Sequence, residues 1–469
     1  MKNFSALFLL FLLWSSCKPK QEENSNTLKT SEKIEANQEV QTSKNGSLTF
    51  LASIDNAYYY IDEPRYHVYL YTELKADFFK KEAQRTPLNL SIVIDRSGSM
   101  EGEKLDYAKD AAIQAVNLLS AVDYVSIISY EDGVQVVHAA SAATNKEEII
   151  AKIKRINSGG STFLSGGMIK GFEAVKENYK ADYINRVFLL SDGLANEGIT
   201  DEIELAKIAA SWKKNENISL STFGIGTGFN EDLMTELAEQ GRGNYYFINE
   251  AKEIPAIFEK EMNGLLSLVA KNVVLEVNYP GAALQLERVY GYTYDASPNT
   301  VSINLGEMYS EETKAVLFKF SLDAFYKDDL VFTSLVDFED LSKEKVEKVH
   351  MENMNSIRPI NDLALVENSF NKLTMKQITL FESNLQMEEA AEEIDRGNFE
   401  IAKEILEKNA EYIKLSEEKF GSSEEIERQK VANKNYSISL DDYENLSTEE
   451  QEYIQKSNKM TTYEIKKKK

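Results

Sequence analysis

The chain is poor in the residues that most often carry out chemistry. Across 469 residues it has one cysteine, three histidines, two tryptophans and seven prolines. A lone cysteine, Cys17, excludes an internal disulfide framework. His67, His138 and His350 lie in separate segments, with no cysteine or second histidine close in sequence. That scarcity argues against a zinc site and against a Ser-His-Asp relay, although a serine–lysine arrangement stays open. Positive charge is also short. With 53 basic against 77 acidic side chains, the formal charge is −24, and a phosphate backbone would be repelled. Nucleic acid is therefore not an expected partner. Nucleotide is not expected either. Gly224-Ile225-Gly226-Thr227-Gly228 lacks the full G-x-G-x-x-G spacing, and the Ser158–Thr162 loop lacks the Gly-Lys-Ser/Thr of a phosphate loop.

Apolar residues are 42% of the chain and aromatics 10%, enough for two or three domains with real cores. Long hydrophobic runs are missing except at the start. Met1-Lys2-Asn3 is followed by a largely apolar run of eleven residues, Phe4 to Trp14, and then Ser15-Ser16-Cys17. The run is too short to span a bilayer and suits a secretory signal peptide. Small residues directly before the cysteine resemble the lipobox of bacterial lipoproteins, with Trp14 where that motif usually has Leu. The resemblance implies lipidation of Cys17 with palmitate-type acyl chains. It also implies a place in the bacterial cell envelope, anchored at the outer membrane on its periplasmic or surface face. The polar stretch that follows cannot bury a core and reads as a tether.

Seven segments follow from the patterning: a leader with lipobox at 1–17, a tether at 18–47, N-terminal strands at 48–84, an α/β unit at 85–267, a β-sandwich at 268–350, a helical region at 351–434 and a polar tail at 435–469. From Leu88 to Leu266 strands and helices alternate, which predicts a mainly parallel sheet with helices on both faces. Five strand-like runs between Val273 and Asp337 predict an antiparallel sandwich into which the α/β unit is inserted. Between the last helix, near Ile254–Leu266, and the first of those strands only a few residues intervene, so the connection is expected to be short and stiff. Ala390 to Ala402 reads as helix, glycine turn, helix. It resembles one tetratricopeptide-like hairpin, and a lone unit of that kind is expected to cap the sandwich.

Leu88 to Met100 reads Leu-Asn-Leu-Ser-Ile-Val-Ile-Asp-Arg-Ser-Gly-Ser-Met. A buried strand stops there on Asp95, Ser97 and Ser99, whose alternate oxygens suit a small hard cation wanting about six oxygen ligands. A glycine-rich loop at Asn157–Thr162 supplies the hydroxyl of Thr162, and a second apolar strand, Val187–Ser191, ends on Asp192. Asp95, Ser97, Ser99, Thr162 and Asp192 together resemble the metal-ion-dependent adhesion site of von Willebrand factor type A domains. Ser191-Asp192-Gly193-Leu194-Ala195-Asn196-Glu197-Gly198 is similar to the form in bacterial and inter-α-inhibitor-heavy-chain-like members.

The resemblance implies a doubly wound, Rossmann-like α/β domain and a Mg²⁺ ion at those five residues; ligand type alone leaves Ca²⁺ and Mn²⁺ open. It implies a binding module and not an enzyme. The ion would coordinate a carboxylate from an Asp or Glu of a protein partner, in adhesion or assembly. The alternative is an envelope scaffold whose metal only stabilises the fold. The leader generates the first prediction. Cys17→Ser should release the protein from membranes, because one acyl chain gives binding of only about 10⁴ M⁻¹ and stable anchoring needs more. Fractionation reads the release. A mature protein that retains residues before Cys17, unmodified by mass spectrometry, overturns it.

Overall fold

The computed structural model describes residues 40–61, 67–78, 86–323, 326–343, 345–441 and 443–466. Cys17 and the leader lie outside them, as do the tether up to residue 39 and the last three lysines. Among the described residues, no helix is long and apolar enough to cross a membrane.

The chain opens with β1 (Val40–Asn45), β2 (Leu48–Ile54), β3 (Tyr58–Tyr60) and β4 (His67–Ala76). The end of the expected tether is therefore a strand. Val40–Asn45 pairs antiparallel with β2 around Gly46, whose φ of +59° needs a glycine. Its polar composition hid it. Only one neighbour pairs with it, and an edge strand can carry polar side chains without cost.

The α/β unit follows as β5 (Leu88–Asp95), α1 (Glu103–Leu118), β6 (Tyr124–Tyr130), β7 (Val134–Ala142), α2 (Lys146–Ile153), α3 (Leu164–Glu177), β8 (Ile184–Ser191), α4 (Glu202–Glu216), β9 (Ser219–Ile225), α5 (Glu231–Gln240), β10 (Arg242–Ile248) and α6 (Ile254–Leu266). The sheet runs β10-β9-β8-β5-β6-β7, parallel except for the β6–β7 pair. Every residue of β5 and β8 is buried, which is why both read as near-continuous apolar runs. Their side chains alternate between two cores. Ile92 and Ile94 face α1 and α6, while Val93 faces α3, α4 and α5. Strand order reverses at β5, so β5 and β8 flank the switch point where this architecture opens a crevice at its C-terminal edge.

The chain then builds β11 (Leu268–Asn278), β12 (Leu284–Tyr290), β13 (Asp295–Ser297), β14 (Thr300–Tyr309), β15 (Thr313–Leu322), β16 (Leu330–Asp340) and β17 (Glu347–Ile360). One sheet, β1-β2-β4-β15-β12, mixes strands from before and after the α/β unit; the other is β13-β14-β11-β16-β17-β3. Phe50, Leu70 and Phe318 of the first pack against Leu275, Ile303 and Phe332 of the second. The α/β unit is thus an insertion in a sandwich. β17 continues to Ile360, where helix was expected from residue 351. Its inward positions are Val349, Met351, Asn353, Asn355 and Ile357. The two asparagines mask the alternation, and they point inward because each has a partner. Asn353 Nδ2 donates to Phe50 O at 3.0 Å and Asn355 Nδ2 to Ala52 O at 3.2 Å, closing one side of the sandwich.

Five helices complete the chain: α7 (Leu363–Asn368), α8 (Lys372–Asp395), α9 (Phe399–Phe420), α10 (Glu424–Ser439) and α11 (Thr448–Lys466). α8 lays Ile378 and Phe381 on Tyr71, Tyr290 and Leu317 of the sandwich. The expected polar tail at 435–469 is instead the end of α10 and all of α11, and α11 packs on the α/β unit. Tyr463 is buried there, its hydroxyl accepting the Tyr245 N–H at 3.2 Å. Lys456 Nζ donates to Phe229 O at 2.7 Å and pairs with Glu231, and Lys459 reaches Asp232 at 3.0 Å and Asp395 at 2.7 Å. Lys456 and Lys459, within the segment expected as a polar tail, are countercharges for the acidic start of α5.

At the opposite end of the sheet only Ser267 separates α6 from β11. Beside that junction Arg186 of β8 is buried. It pairs with Glu307, donates to Tyr309 Oη at 2.7 Å and to Ser221 Oγ at 3.1 Å, and lies 3.9 Å from Glu261. Glu261 also accepts from Ser221 at 2.6 Å and from Tyr246 at 2.8 Å. Burial pushes the Glu307 carboxyl up, but Arg186, then Lys213 and the Tyr309 hydroxyl, more than offset it and hold the group below its ordinary value. A carboxyl depressed on folding stabilises above its unfolded value and loses that contribution as pH falls through the folded one. Arg186→Met should therefore destabilise by about 3–5 kcal/mol, because it strands buried carboxylates. Denaturant unfolding across pH should show the acid limb of stability flattened in the variant, the penalty being largest near neutral pH and shrinking as the stranded Glu307 carboxyl takes up a proton. An unchanged limb would mean that Arg186 does not control Glu307.

Candidate metal centre

The site forms where β5 and β8 end side by side, Ile94 in register with Leu190. Asp95 is the last residue of β5 and fully buried. Its Oδ1 accepts the Ser97 N–H at 2.9 Å, and its Oδ2 accepts the hydroxyls of Ser191 at 2.8 Å and Tyr130 at 3.2 Å. Burial raises its pKa above the ordinary aspartate value, against the lowering hydrogen bonds from Ser97 and Ser191, and the nearby Asp192 adds to the rise. Burial, and then Asp95, likewise push the Tyr130 phenol well up.

The loop after β5 turns at once. Ser97 and Ser99 bring their hydroxyls within 3.2 Å of each other, and Ser99 Oγ donates to Asp192 Oδ1 at 2.8 Å. Gly98 N–H donates to Gly160 O at 3.0 Å, and Gly159 N–H to Arg96 O at 2.8 Å, lacing this loop to the glycine-rich one. That second loop is held from the other side by Asn196. The Thr162 N–H donates to Asn196 Oδ1 at 2.8 Å, and the Asn196 N–H donates to Thr162 O at 3.2 Å. A Cβ placed on Gly193 would lie 3.2 Å from Thr162 Oγ1 and 3.7 Å from Ser99 Oγ. The two hydroxyls therefore converge on one small space beside Asp192.

The structure brings all five expected residues to one edge of the sheet. Two carboxylates and three hydroxyls make an oxygen set for a hard divalent ion. Asp95, Ser97, Thr162 and Asp192 are buried and Ser99 is exposed, so the cluster opens on the Ser99 side, next to exposed Leu194. Elsewhere among the described residues no group of three His, Cys, Asp or Glu side chains gathers as metal ligands. The histidines stay apart. His67 pairs with Glu287, His350 with Asp337, and His138 with Ser141. Packing accounts for Gly224 and Gly228, where a Cβ would meet Phe229 and the Asp192 carbonyl, and a φ of +74° accounts for Gly226.

Sequence reasoning missed four side chains. Ser191 and Tyr130 satisfy the second oxygen of Asp95, Asn196 holds Thr162, and Lys104 Nζ lies 2.6 Å from Asp192 Oδ2. Lys104 carried a signal: a lysine in the first turn of a helix sits against the helix dipole and calls for a local anion.

Residues 89–260 match the family model of the von Willebrand factor type A domain. Among curated proteins, the chain is 30% identical over 226 residues to the Escherichia coli (strain K12) protein YfbK, covering 47% of this chain and 39% of that protein. It is 27% identical over 280 residues to inter-alpha-trypsin inhibitor heavy chain H1 of Sus scrofa, covering 56% of this chain and 29% of that protein. The matches thus span less than two thirds of these relatives' own length. Among solved structures, a von Willebrand factor type A protein from Catenulispora acidiphila superposes with a TM-score of 0.64 at 14% identity, over 83% of this chain and 91% of that one. That likeness is one of fold, and it extends well beyond residues 89–260 into the sandwich and helices.

The site generates a metal prediction. Isothermal calorimetry on the full chain should detect one Mg²⁺ at millimolar concentration or below, with a rise in melting temperature by linkage. Asp95→Ala and Thr162→Ala should abolish both while leaving the far-ultraviolet circular dichroism intact. Because burial raises Asp95, affinity should start to fall with pH above the range where an ordinary aspartate, near pH ~3.9, titrates.

Proposed function

Because residues 89–260 of this chain are a von Willebrand factor type A domain, we propose that the protein is a metal-dependent protein-binding module of the bacterial envelope. A Mg²⁺ ion held by Asp95, Ser97, Ser99, Thr162 and Asp192 coordinates a carboxylate from an Asp or Glu of its partner. The observation that carries this reading is the composition of the converged site. Neutral hydroxyls supply three of its five side chains, so a divalent ion there keeps charge for an incoming anion. The exposed Ser99 side provides the approach. In this reading Cys17 is lipidated and holds the module at the outer membrane. The module recruits or adheres; no catalytic step is assigned to it. The match to inter-alpha-trypsin inhibitor heavy chains supports a role in protein association, without fixing the partner.

The rival is a scaffold in which the ion only braces the fold. The two differ in whether association needs an open metal position. Capture from envelope extracts on the full protein decides between them. The binding-module reading expects a captured protein that is lost with chelator, restored by Mg²⁺, absent with Asp95→Ala and absent after carboxyl groups in the extract are blocked. Capture that survives chelator, Asp95→Ala and carboxyl blocking leaves the scaffold.

A further inference from the structure

Among the described residues, Lys104 is the cation that reaches into the cluster. It lies in the first turn of α1, whose N-cap is Gly102 and whose first turn has no side-chain cap. A cation at that end of a helix is repelled by the dipole, which Glu103 and Asp106 of the same turn offset in part. The anion in contact with the ammonium is Asp192, whose side chain is fully buried and whose Oδ2 lies 2.6 Å from Lys104 Nζ. The β9–α5 loop leaves room for the lysine from the other side. Gly226 adopts a φ of +74°, and a Cβ built there would lie 3.5 Å from Nζ. The other nearby cation, Arg96, is committed elsewhere, to Glu131 and to Asn157 O at 3.2 Å.

Charge counting then separates two properties of the site. The carboxylates of Asp95 and Asp192 balance one divalent ion, and the hydroxyls contribute nothing. With Lys104 beside Asp192, the loaded cluster carries one unit of positive charge in a largely buried setting, where unpaired charge is costly. That excess repels the metal and attracts an anion. We propose that Lys104 is the specificity residue of this site: its ammonium weakens the hold on the ion and strengthens the hold of the loaded site on a carboxylate. This rests on the metal-dependent reading above and deepens it. The preferred ligand is an anion that completes the charge balance, and neutral oxygen ligands such as amides and hydroxyls are rejected.

The test uses the full chain, Mn²⁺ as a paramagnetic probe and acetate as the simplest carboxylate. Electron paramagnetic resonance counts free Mn²⁺, and water-proton relaxation reads the open position and its loss as acetate is titrated. Lys104→Met should bind Mn²⁺ about tenfold more tightly or better, and acetate about tenfold more weakly, as expected for removing a unit charge a few ångströms from the ion. Lys104→Arg should stay close to wild type on both counts. Lys104→Gln keeps a hydrogen-bonding reach and should behave like Lys104→Met, which separates charge from contact. Opposite shifts of the two constants are the signature; a merely structural role would move both the same way or neither, and either outcome overturns the proposal. If wild type binds no Mn²⁺, the metal reading itself falls and takes this inference with it. If wild type binds Mn²⁺ but Lys104→Met binds it less well, only the role of Lys104 falls.

Discussion

Two buried carboxylates at the ends of adjacent strands impose the central constraint on this molecule. Asp95 ends β5 and Asp192 follows β8, and the two strands pair in parallel register, so the sheet itself forces like charges together. Neither can be left bare in a buried edge, because an unpaired ion away from water is costly. The surrounding residues read as the response. Ser97, Ser191 and Tyr130 surround Asp95, while Ser99 and Lys104 take the two oxygens of Asp192. Glycines at 98, 159, 160 and 193 let three loops approach closely enough for Thr162 to join them. A divalent ion relieves the same repulsion more completely than one lysine can. Lys104 supplies one positive charge against two carboxylates, and the fold provides no second cation beside them among the described residues.

How much of this is legible in sequence depends on whether a residue's partner is close by in the pattern. β5 and β8 are buried on both faces, so they read directly as apolar runs, and the residues that end them read as a site. The alternation of strand and helix from Leu88 to Leu266 predicts the doubly wound sheet for the same reason. The less legible parts owe their position to distant partners. β17 carries Asn353 and Asn355 inward because carbonyls of β2, some three hundred residues earlier, accept from them. Val40–Asn45 is polar and becomes a strand only because β2 offers an edge. α11 looks like a charged tail until Glu231, Asp232 and Asp395 are brought beside its lysines. Lys104 is the intermediate case: its conflict with the helix dipole is visible in sequence, but the carboxylate that resolves it lies 88 residues away.

The α/β unit is gripped by the sandwich at the end of β8 remote from the site and by α11 at the β9–α5 loop beside it. β8 has Asp192 just beyond one end and Arg186 near the other, roughly 20 Å apart at the usual rise of a strand. Arg186 is locked into Glu307 and Tyr309 of β14, and α6 runs into β11 through Ser267 alone. The sandwich therefore grips the far end of the strand that ends at the site. α11 forms the second hold, on the β9–α5 loop. Lys456 donates to the Phe229 carbonyl, and its ammonium lies 4.4 Å from the Phe229 ring centroid. Gly228, the residue before Phe229, is packed against the Asp192 carbonyl.

These two holds make different demands on a ligand at the metal edge. Displacement along β8 would have to break a buried ionic network, which costs several kcal/mol when one partner is removed. Displacement of the β9–α5 loop would pull on buried Lys456, which donates to the Phe229 carbonyl and pairs with Glu231, and on the Phe229 ring in its core. A second chain of contacts leads from that edge sideways into α11, and through Gln455, which donates to Ala391 O and Asp395, into the α8–α9 hairpin. The sandwich grips the end of β8 remote from Asp192, and the helices hold the loop beside it.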